Sequence, residues 1–219
     1  MDRQKTFLVL GGTGQTGRHF IRLALEQGHR VRALARNPSK LTAASSELEV
    51  IKGSIDEDLD LDALLSGADF VVSMLGDAAA QRERPINTEF TRRLIPAMRR
   101  KGVTRFLYQA GGLSAPPGRR LPTALRLIRS TVARGHDGQH KDNEAVMRYL
   151  TDEAADIEWM VHRAGIRGNG ASKGTLRRSE KKISMATFQD VAEYNLRTVM
   201  DASAVHTCDF SHYEDKDDV

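Results

Sequence analysis

Phe7-Leu8-Val9-Leu10-Gly11-Gly12-Thr13-Gly14-Gln15-Thr16-Gly17 stands almost at the start of the chain, an apolar run that ends in a glycine-rich turn. Beyond Gly17, the residues Phe20, Ile21, Ala24 and Leu25 recur at helical spacing, with Arg18, Arg22 and Glu26 on other faces. After the turn signal Gln27-Gly28-His29, a second apolar run covers Val31 to Ala35. Strand, glycine turn, helix and strand within about 30 residues make one βαβ unit. In that setting the run Gly11, Gly12, Thr13, Gly14, Gln15, Thr16 and Gly17 reads as a pyrophosphate cradle. Glycines let backbone N–H groups approach phosphate oxygens without obstruction, and the following helix presents its positive end to the anion. Without the flanking strands the same glycines would indicate only a tight turn.

The end of the second strand refines the reading. A site for the unphosphorylated dinucleotide places an acid there to bond the ribose 2′-OH. This chain has Arg36 instead, followed by Asn37-Pro38-Ser39-Lys40, and no acid occurs between Glu26 and Glu47. A guanidinium pairs with a 2′-phosphate, so the expected cofactor is NADP(H). The alternative reading of Arg36 is a solvated basic strand end.

The 219 residues suffice for one α/β domain, and 40% apolar content excludes disordered and fibrous classes. The sequence has no run of about 18 apolar residues and no signal pattern, which predicts a cytoplasmic protein without a membrane partner. Cys208, the single cysteine, excludes an internal disulfide and reads as a core or surface thiol. The net charge of +4 sets 33 basic residues against 29 acidic ones along most of the chain. Arg92-Arg93, Arg99-Arg100-Lys101, Arg119-Arg120 and Arg177-Arg178 would form a patch only by converging in space. Aromatics are few and no recognition motif is present, so no nucleic-acid partner is expected.

The remaining segments repeat the first unit's plan. Strands are expected at Glu49–Lys52, Asp69–Leu75, Arg105–Ala110 and Ile157–Arg163, with helices around Leu59–Leu65, Phe90–Met98, Pro122–Arg134, Asp142–Thr151 and Phe188–Val199. Leu121, Leu125, Ile128 and Val132 form the apolar stripe of the helix after the fifth strand. The Gly/His-rich stretch 135–140 and the basic, glycine-rich segment Gly165–Lys182 read as loops, and Cys208–Ser211 as an edge strand. The expected architecture is α/β, a single doubly wound Rossmann-type domain with a mainly parallel sheet flanked by helices. The domain is assigned to residues 1–212, and residues 213–219 to a disordered acidic tail.

Taken together, Gly11 to Gly17, Ala35-Arg36-Asn37-Pro38, Gly53-Ser54, Leu75-Gly76, Arg105-Phe106-Leu107-Tyr108, Lys141 with Glu144, Trp159 to Gly165 and Asp190-Val191-Ala192 resemble the atypical short-chain dehydrogenase/reductases. The resemblance is to the NmrA-like, NAD(P)H-binding group that includes the flavin reductase/biliverdin reductase B type. It implies phosphates on the cradle, the 2′-phosphate on Arg36 and adenine beside Ser54 and Ile55. Ribose and nicotinamide would pass Leu75, Gly76 and the strand end at Ala110, with Lys141 at the ribose.

The family's catalytic pattern is broken. Ala110 stands where the Ser is expected, and Asp137 stands four residues before Lys141, in place of the proton-donating Tyr. Arg163-Ala164-Gly165 replaces Arg-Pro-Gly, which predicts a looser loop over the nicotinamide. His140 and Lys141 are the catalytic candidates, with His136 and Ser114 nearby; the alternative for the histidines is a solvated loop position. No metal site is expected. The implied function is NADPH-dependent reduction of a planar conjugated acceptor such as a flavin, quinone or tetrapyrrole. The alternative is a non-catalytic NADP(H)-sensing protein that docks a regulated partner, as monomer or homodimer.

Overall fold

Alternation of apolar runs with helical stripes produces a wound sheet in a computed structural model that describes residues 3–41, 45–131 and 133–214. The first unit is β1 (Thr6–Leu10), α1 (Gln15–Glu26) and β2 (Arg30–Ala35), followed by β3 (Leu48–Lys52), α2 (Leu61–Leu65) and β4 (Phe70–Ser73). Two helices, α3 (Ala80–Glu83) and α4 (Ile86–Lys101), precede β5 (Arg105–Gly111). Then come α5 (Thr123–Ser130), α6 (Asp137–Glu153), β6 (Glu158–Ala164), β7 (Ile166–Gly168), β8 (Leu176–Ser179), β9 (Ala186–Thr187), α7 (Phe188–Met200) and β10 (Cys208–Tyr213).

The main sheet has the order β3-β2-β1-β4-β5-β6-β10-β8, and β7 pairs with β9 in a small second sheet. All ladders of the main sheet are parallel except β10 with β8. The central strands β1, β4 and β5 read as continuous apolar runs because helices cover both faces. On one face Leu8, Leu10, Val71, Phe106 and Tyr108 pack under α2, α4 and α6. On the other, Phe7, Val9, Val72 and Leu107 pack under α1 and α7. After β3 the chain crosses to the other side of β1 to form β4, and this reversal opens a crevice at the carboxyl ends of β1 and β4.

The segment expected to be a loop at Gly165–Lys182 contains β7 and β8. Leu176 of β8 is buried, whereas Arg177 and Arg178 face outward, the pattern of an edge strand covered on one side. Consequently β10 is internal, parallel to β6 and antiparallel to β8, and the expectation that it forms the edge is corrected. Stretch 135–140 is mostly helical: a 3₁₀ turn covers Arg134–His136, and α6 begins at Asp137. The segment at Arg163-Ala164-Gly165 is held rather than loose, since Ala164 O accepts from Gly112 N at 2.8 Å and Gly165 O accepts from Ala186 N at 2.9 Å. Tyr213 closes β10, and Glu214 N donates to Thr175 O at 3.1 Å; the rest of the expected acidic tail, like Val132, lies outside the described residues.

Candidate dinucleotide and acceptor site

The crevice beside β1 and β4 is a cleft of about 240 Å³. Gly11, Thr13, Gly14, Arg36, Ser54, Ile55, Leu75 and Gly76 line it, as the sequence reading expects. Gly12, Thr16 and Gly17 lie just beneath, buried in the turn and the first helical turn, and Gln15 is exposed at the start of α1. Additional lining comes from Asp56, Met74, Asp77 and Asn87, which no motif announced.

The turn has the shape of a phosphate cradle. A Cβ on Gly17 would fall 2.8 Å from Gly12 Cα and closer still to the Gly11 carbonyl oxygen, so only glycine lets α1 begin against the turn. Gly14 caps α1 without a side-chain hydrogen bond, and the first turn holds no acid. Its orphan N–H groups and the positive end of the helix dipole therefore face the cleft without a protein acceptor. Asn87 adds a second unpaired group: its Oδ1 is buried with no hydrogen-bond partner, at the cleft wall. Both observations fit a bound dinucleotide. The cradle would hold its pyrophosphate, and the Asn87 oxygen would accept from it further along.

Ion pairing singles out Arg36 among the basic residues of β2. Arg30 Nε donates to Glu47 at 2.7 Å, and Arg32 Nε donates to Glu49 at 2.7 Å. Arg32 also caps the carbonyls at the end of α2, including Leu64 O at 2.9 Å. Arg36 alone of the three reaches the cleft, where its nearest acid is Asp77, at 3.7 Å.

Beyond the cleft, α6 lays its first turns against the end of β5. His140, expected in a loop or helix start, is buried inside α6. Its Nδ1 lies 3.5 Å from Ser114 Oγ, and its Nε2 has no partner. A chain of hydrogen bonds connects this pair with the cleft: Asn143 Nδ2 donates to Ser114 Oγ (3.2 Å), Tyr108 OH to Asn143 Oδ1 (2.7 Å), and Asn87 Nδ2 to Tyr108 OH (3.0 Å). Asp142 anchors it, accepting from Asn87 N, Thr88 N, Thr88 Oγ1 and Gln81 Nε2. Burial, aided by the Arg129 charge, lowers the His140 pKa, so the imidazole is neutral at neutral pH.

Asp137 and Lys141 form an ion pair at 2.8 Å across one helical turn, and Arg129 approaches the same carboxylate at 3.0 Å. Hydrogen bonds from Lys141 and Arg129 hold Asp137 below the usual carboxylate range. Lys141 is exposed and does not line the cleft; Ala110 is buried, its side chain in the core beneath β5.

One arrangement imitates a catalytic triad without being reachable. His162 lies 2.6 Å from Asn195 Oδ1 and 2.8 Å from Ser211 Oγ. Asn195 Nδ2 donates to Gln109 Oε1, which leaves its Oδ1 to accept from His162 Nδ1–H; Nε2 then accepts from Ser211. All three residues are buried, and the set fastens β6, α7 and β10 together. Burial pushes the His162 pKa down to about 4 and the Cys208 thiol up to about 11. Among the described residues no group of three or more His, Cys, Asp or Glu could hold a metal ion, and no helix is long and apolar enough to cross a membrane.

Fold and cradle define a Rossmann-type dinucleotide-binding protein of the short-chain dehydrogenase/reductase kind. Its family follows from a sequence model: the chain belongs to the NAD(P)H-binding family, whose model matches residues 11–202, and this match supports NADP(H) as cofactor. It is similar to a 3-beta-hydroxysteroid dehydrogenase of Mycolicibacterium neoaurum, 33% identical over 114 residues, covering 47% of this chain and 31% of that protein. It also resembles the photosystem II assembly factor Ycf39 of Synechocystis, 31% identical over 108 residues, covering 46% of this chain and 32% of that protein. The chain thus matches about a third of the length of these curated relatives. Among solved structures, the oxidoreductase ylbE of Lactococcus lactis superposes with a TM-score of 0.78 at 15% identity, over 95% of this chain and 91% of that one. ChuY, an anaerobillin reductase of Escherichia coli O157:H7, superposes with a TM-score of 0.72 at 16% identity, over 98% of this chain and 100% of that one.

Proposed function

We propose that this chain is an NADPH-dependent oxidoreductase that reduces a planar conjugated acceptor such as a flavin, quinone or tetrapyrrole. The observation that carries the reading is Asp137, which occupies the usual tyrosine position as an ionised partner of Lys141 and Arg129, beside an intact dinucleotide cradle. An ionised carboxylate has no proton to give, and no tyrosine stands in its place. The acceptor must then be one whose reduced form takes its proton from water or from a weak donor, as extended conjugated systems do.

The bound cofactor supplies hydride; the chain orients it and shapes the space beside it. Arg36 would hold the 2′-phosphate in place of Asp77, and Ser54 and Ile55 would flank the adenine. Leu75 and Gly76 would guide the ribose toward the end of β5, near Ala110, His140 and Ser114. Lys141 reaches a ribose only by leaving Asp137. If His140 delivers the proton, its lowered pKa makes turnover rise as pH falls below the ordinary histidine value of 6.5.

The test is NADPH oxidation by purified protein across a panel of flavins, quinones and tetrapyrroles, with His140→Asn beside it. Turnover of at least one acceptor is expected, with the acid-side rise lost in the variant. Tight NADPH binding with no turnover across the panel would overturn the reading and move the function to an NADP(H)-sensing binding protein. A small-molecule acceptor as the partner rests on the same reading.

A further inference from the structure

We infer that the cavity behind the β5 loop is an anion subsite for the acceptor, so that the preferred acceptor is a conjugated molecule bearing phosphate or carboxylate groups. This rests on the proposed reductase reading and adds the chemistry of the substrate's substituents to it. The cavity, about 630 Å³, lies between the loop after β5, α5 and the start of α6. Arg119, Arg120, Arg126, Arg129 and Arg134 all line it, over an apolar floor that includes buried Leu121.

Most other basic clusters of this chain are neutralised where they stand. Arg92 pairs with Glu153, Arg99 with Asp156 and Arg100 with Asp62. Arg177 pairs with Glu214 and Arg178 with Asp209. In the cavity, the two lining carboxylates, Asp137 and Glu144, are both engaged by Arg129, which is half-buried and forms the wall. Among the described residues the one carboxylate within ion-pair distance of Arg119 is that of the exposed Glu180, at 3.6 Å. Arg120, Arg126 and Arg134 have no carboxylate within ion-pair distance among the described residues. Three unneutralised guanidinium groups around one concavity repel one another, and an anion relieves that repulsion. Guanidinium forks fit the paired oxygens of carboxylate and phosphate, and arginine stems pack against a flat ring.

The cavity borders the proposed reaction centre through its wall. Ala115, on its wall, donates its N–H to Glu144 at 2.7 Å, and the preceding residue is the Ser114 that faces His140. On this proposal, an acceptor with its ring system at the end of β5 would extend its substituents toward these arginines. The helix that carries Arg126 and Arg129 buries none of its residues, and Leu127 and Ile128 are exposed on it. Such a helix can settle onto a ligand at little cost to packing already made.

The test uses NADPH-loaded protein and acceptors matched except for charge: FMN against riboflavin for phosphate, and a tetrapyrrole dicarboxylate against its dimethyl ester for carboxylate. Each pair is assayed with wild type and with the double variant Arg126→Gln, Arg134→Gln, whose positions are exposed. The anionic member of at least one pair should be favoured by about 10- to 100-fold in kcat/KM, the range of one or two charge-assisted contacts. That preference should shrink with added salt and fall to within about threefold in the variant, with the neutral member unaffected. The pair that responds tells phosphate from carboxylate. Equal use of charged and neutral acceptors by wild type, or a preference that survives in the variant, overturns the subsite. If NADPH reduces none of the four, equilibrium dialysis of FMN and riboflavin decides the subsite by the same ratio, while the reductase reading stands or falls on the wider panel that includes quinones.

Discussion

Replacing Arg36 by Ala should weaken NADPH binding about tenfold while leaving NADH binding nearly unchanged. In the structure Arg36 is largely exposed and pairs weakly with Asp77 across the cleft, at 3.7 Å. In water-like surroundings that attraction is about 1 kcal/mol before salt screens it. A charge-assisted bond to a phosphate contributes roughly 1.5–3 kcal/mol. A middle value of about 2.4 kcal/mol, less about 1 kcal/mol for release from Asp77, leaves about 1.4 kcal/mol, which is tenfold in Kd. The same reasoning makes Asp77 a competitor. Asp77→Asn removes the charge while keeping the Oδ1 that accepts from Ala80 N at 3.1 Å, so NADPH should bind up to about fivefold tighter. Titration of each reduced cofactor by its own fluorescence, at two salt concentrations, measures these constants. Equal losses for NADPH and NADH in Arg36→Ala, or no gain in Asp77→Asn, would refute the assigned role.

Gly17→Ala forces a methyl group into the backbone of the cradle and should cost about 1–3 kcal/mol in a denaturant melt, together with cofactor binding; an unchanged midpoint would contradict the close approach. His162 sets an acid limit. Unfolded, it takes a proton near 6.5; folded, only near about 4. Between those values the unfolded state binds more protons, so this contribution to stability is complete above the upper value and declines by up to roughly 3 kcal/mol as pH falls to the lower one. His162→Gln, though less stable at neutral pH, should show a shallower decline, and parallel curves would sink the assignment. Asp142→Ala leaves buried donors on Gln81 and Asn87 and a half-buried one on Thr88 without an acceptor and should cost on the order of 3 kcal/mol, measured by urea unfolding.

The central sheet was legible because strands covered on both faces read as apolar runs, and Val71-Val72 and Phe106-Leu107 have no polar alternation to confuse. The cradle was legible for a related reason, since its glycines, strand and helix are contiguous. Strand β8 was not. Leu176 is its one buried residue and two arginines follow, so its identity depends on β10, more than 30 residues later. The start of α6 was hidden by Gly138, which reads as a loop residue. A Cβ there would lie 2.5 Å from Gln81 O and 2.8 Å from Arg82 Cα, so the glycine marks helix against helix, not a break. That misreading left a solvated loop position open for His140, whereas the helix carries it inward. Asn87 and Asp77 escaped notice because a lone Asn and a lone Asp carry no pattern; only the crevice between β1 and β4 gives them a role.

The inward position of β10 bears on how the molecule is made. During synthesis β8 emerges well before β10 and has no other ladder in the sheet to join. Until the last strand arrives, β6 exposes an unpaired edge, and the segment that ends in β8 remains tethered but homeless. Closure of this half of the sheet therefore waits for β10 to leave the ribosome, whereas the cradle, built from β1, α1 and β2, needs only β4 to complete its wall. The nascent chain can thus acquire its dinucleotide crevice while its far edge is still open to pairing with another chain.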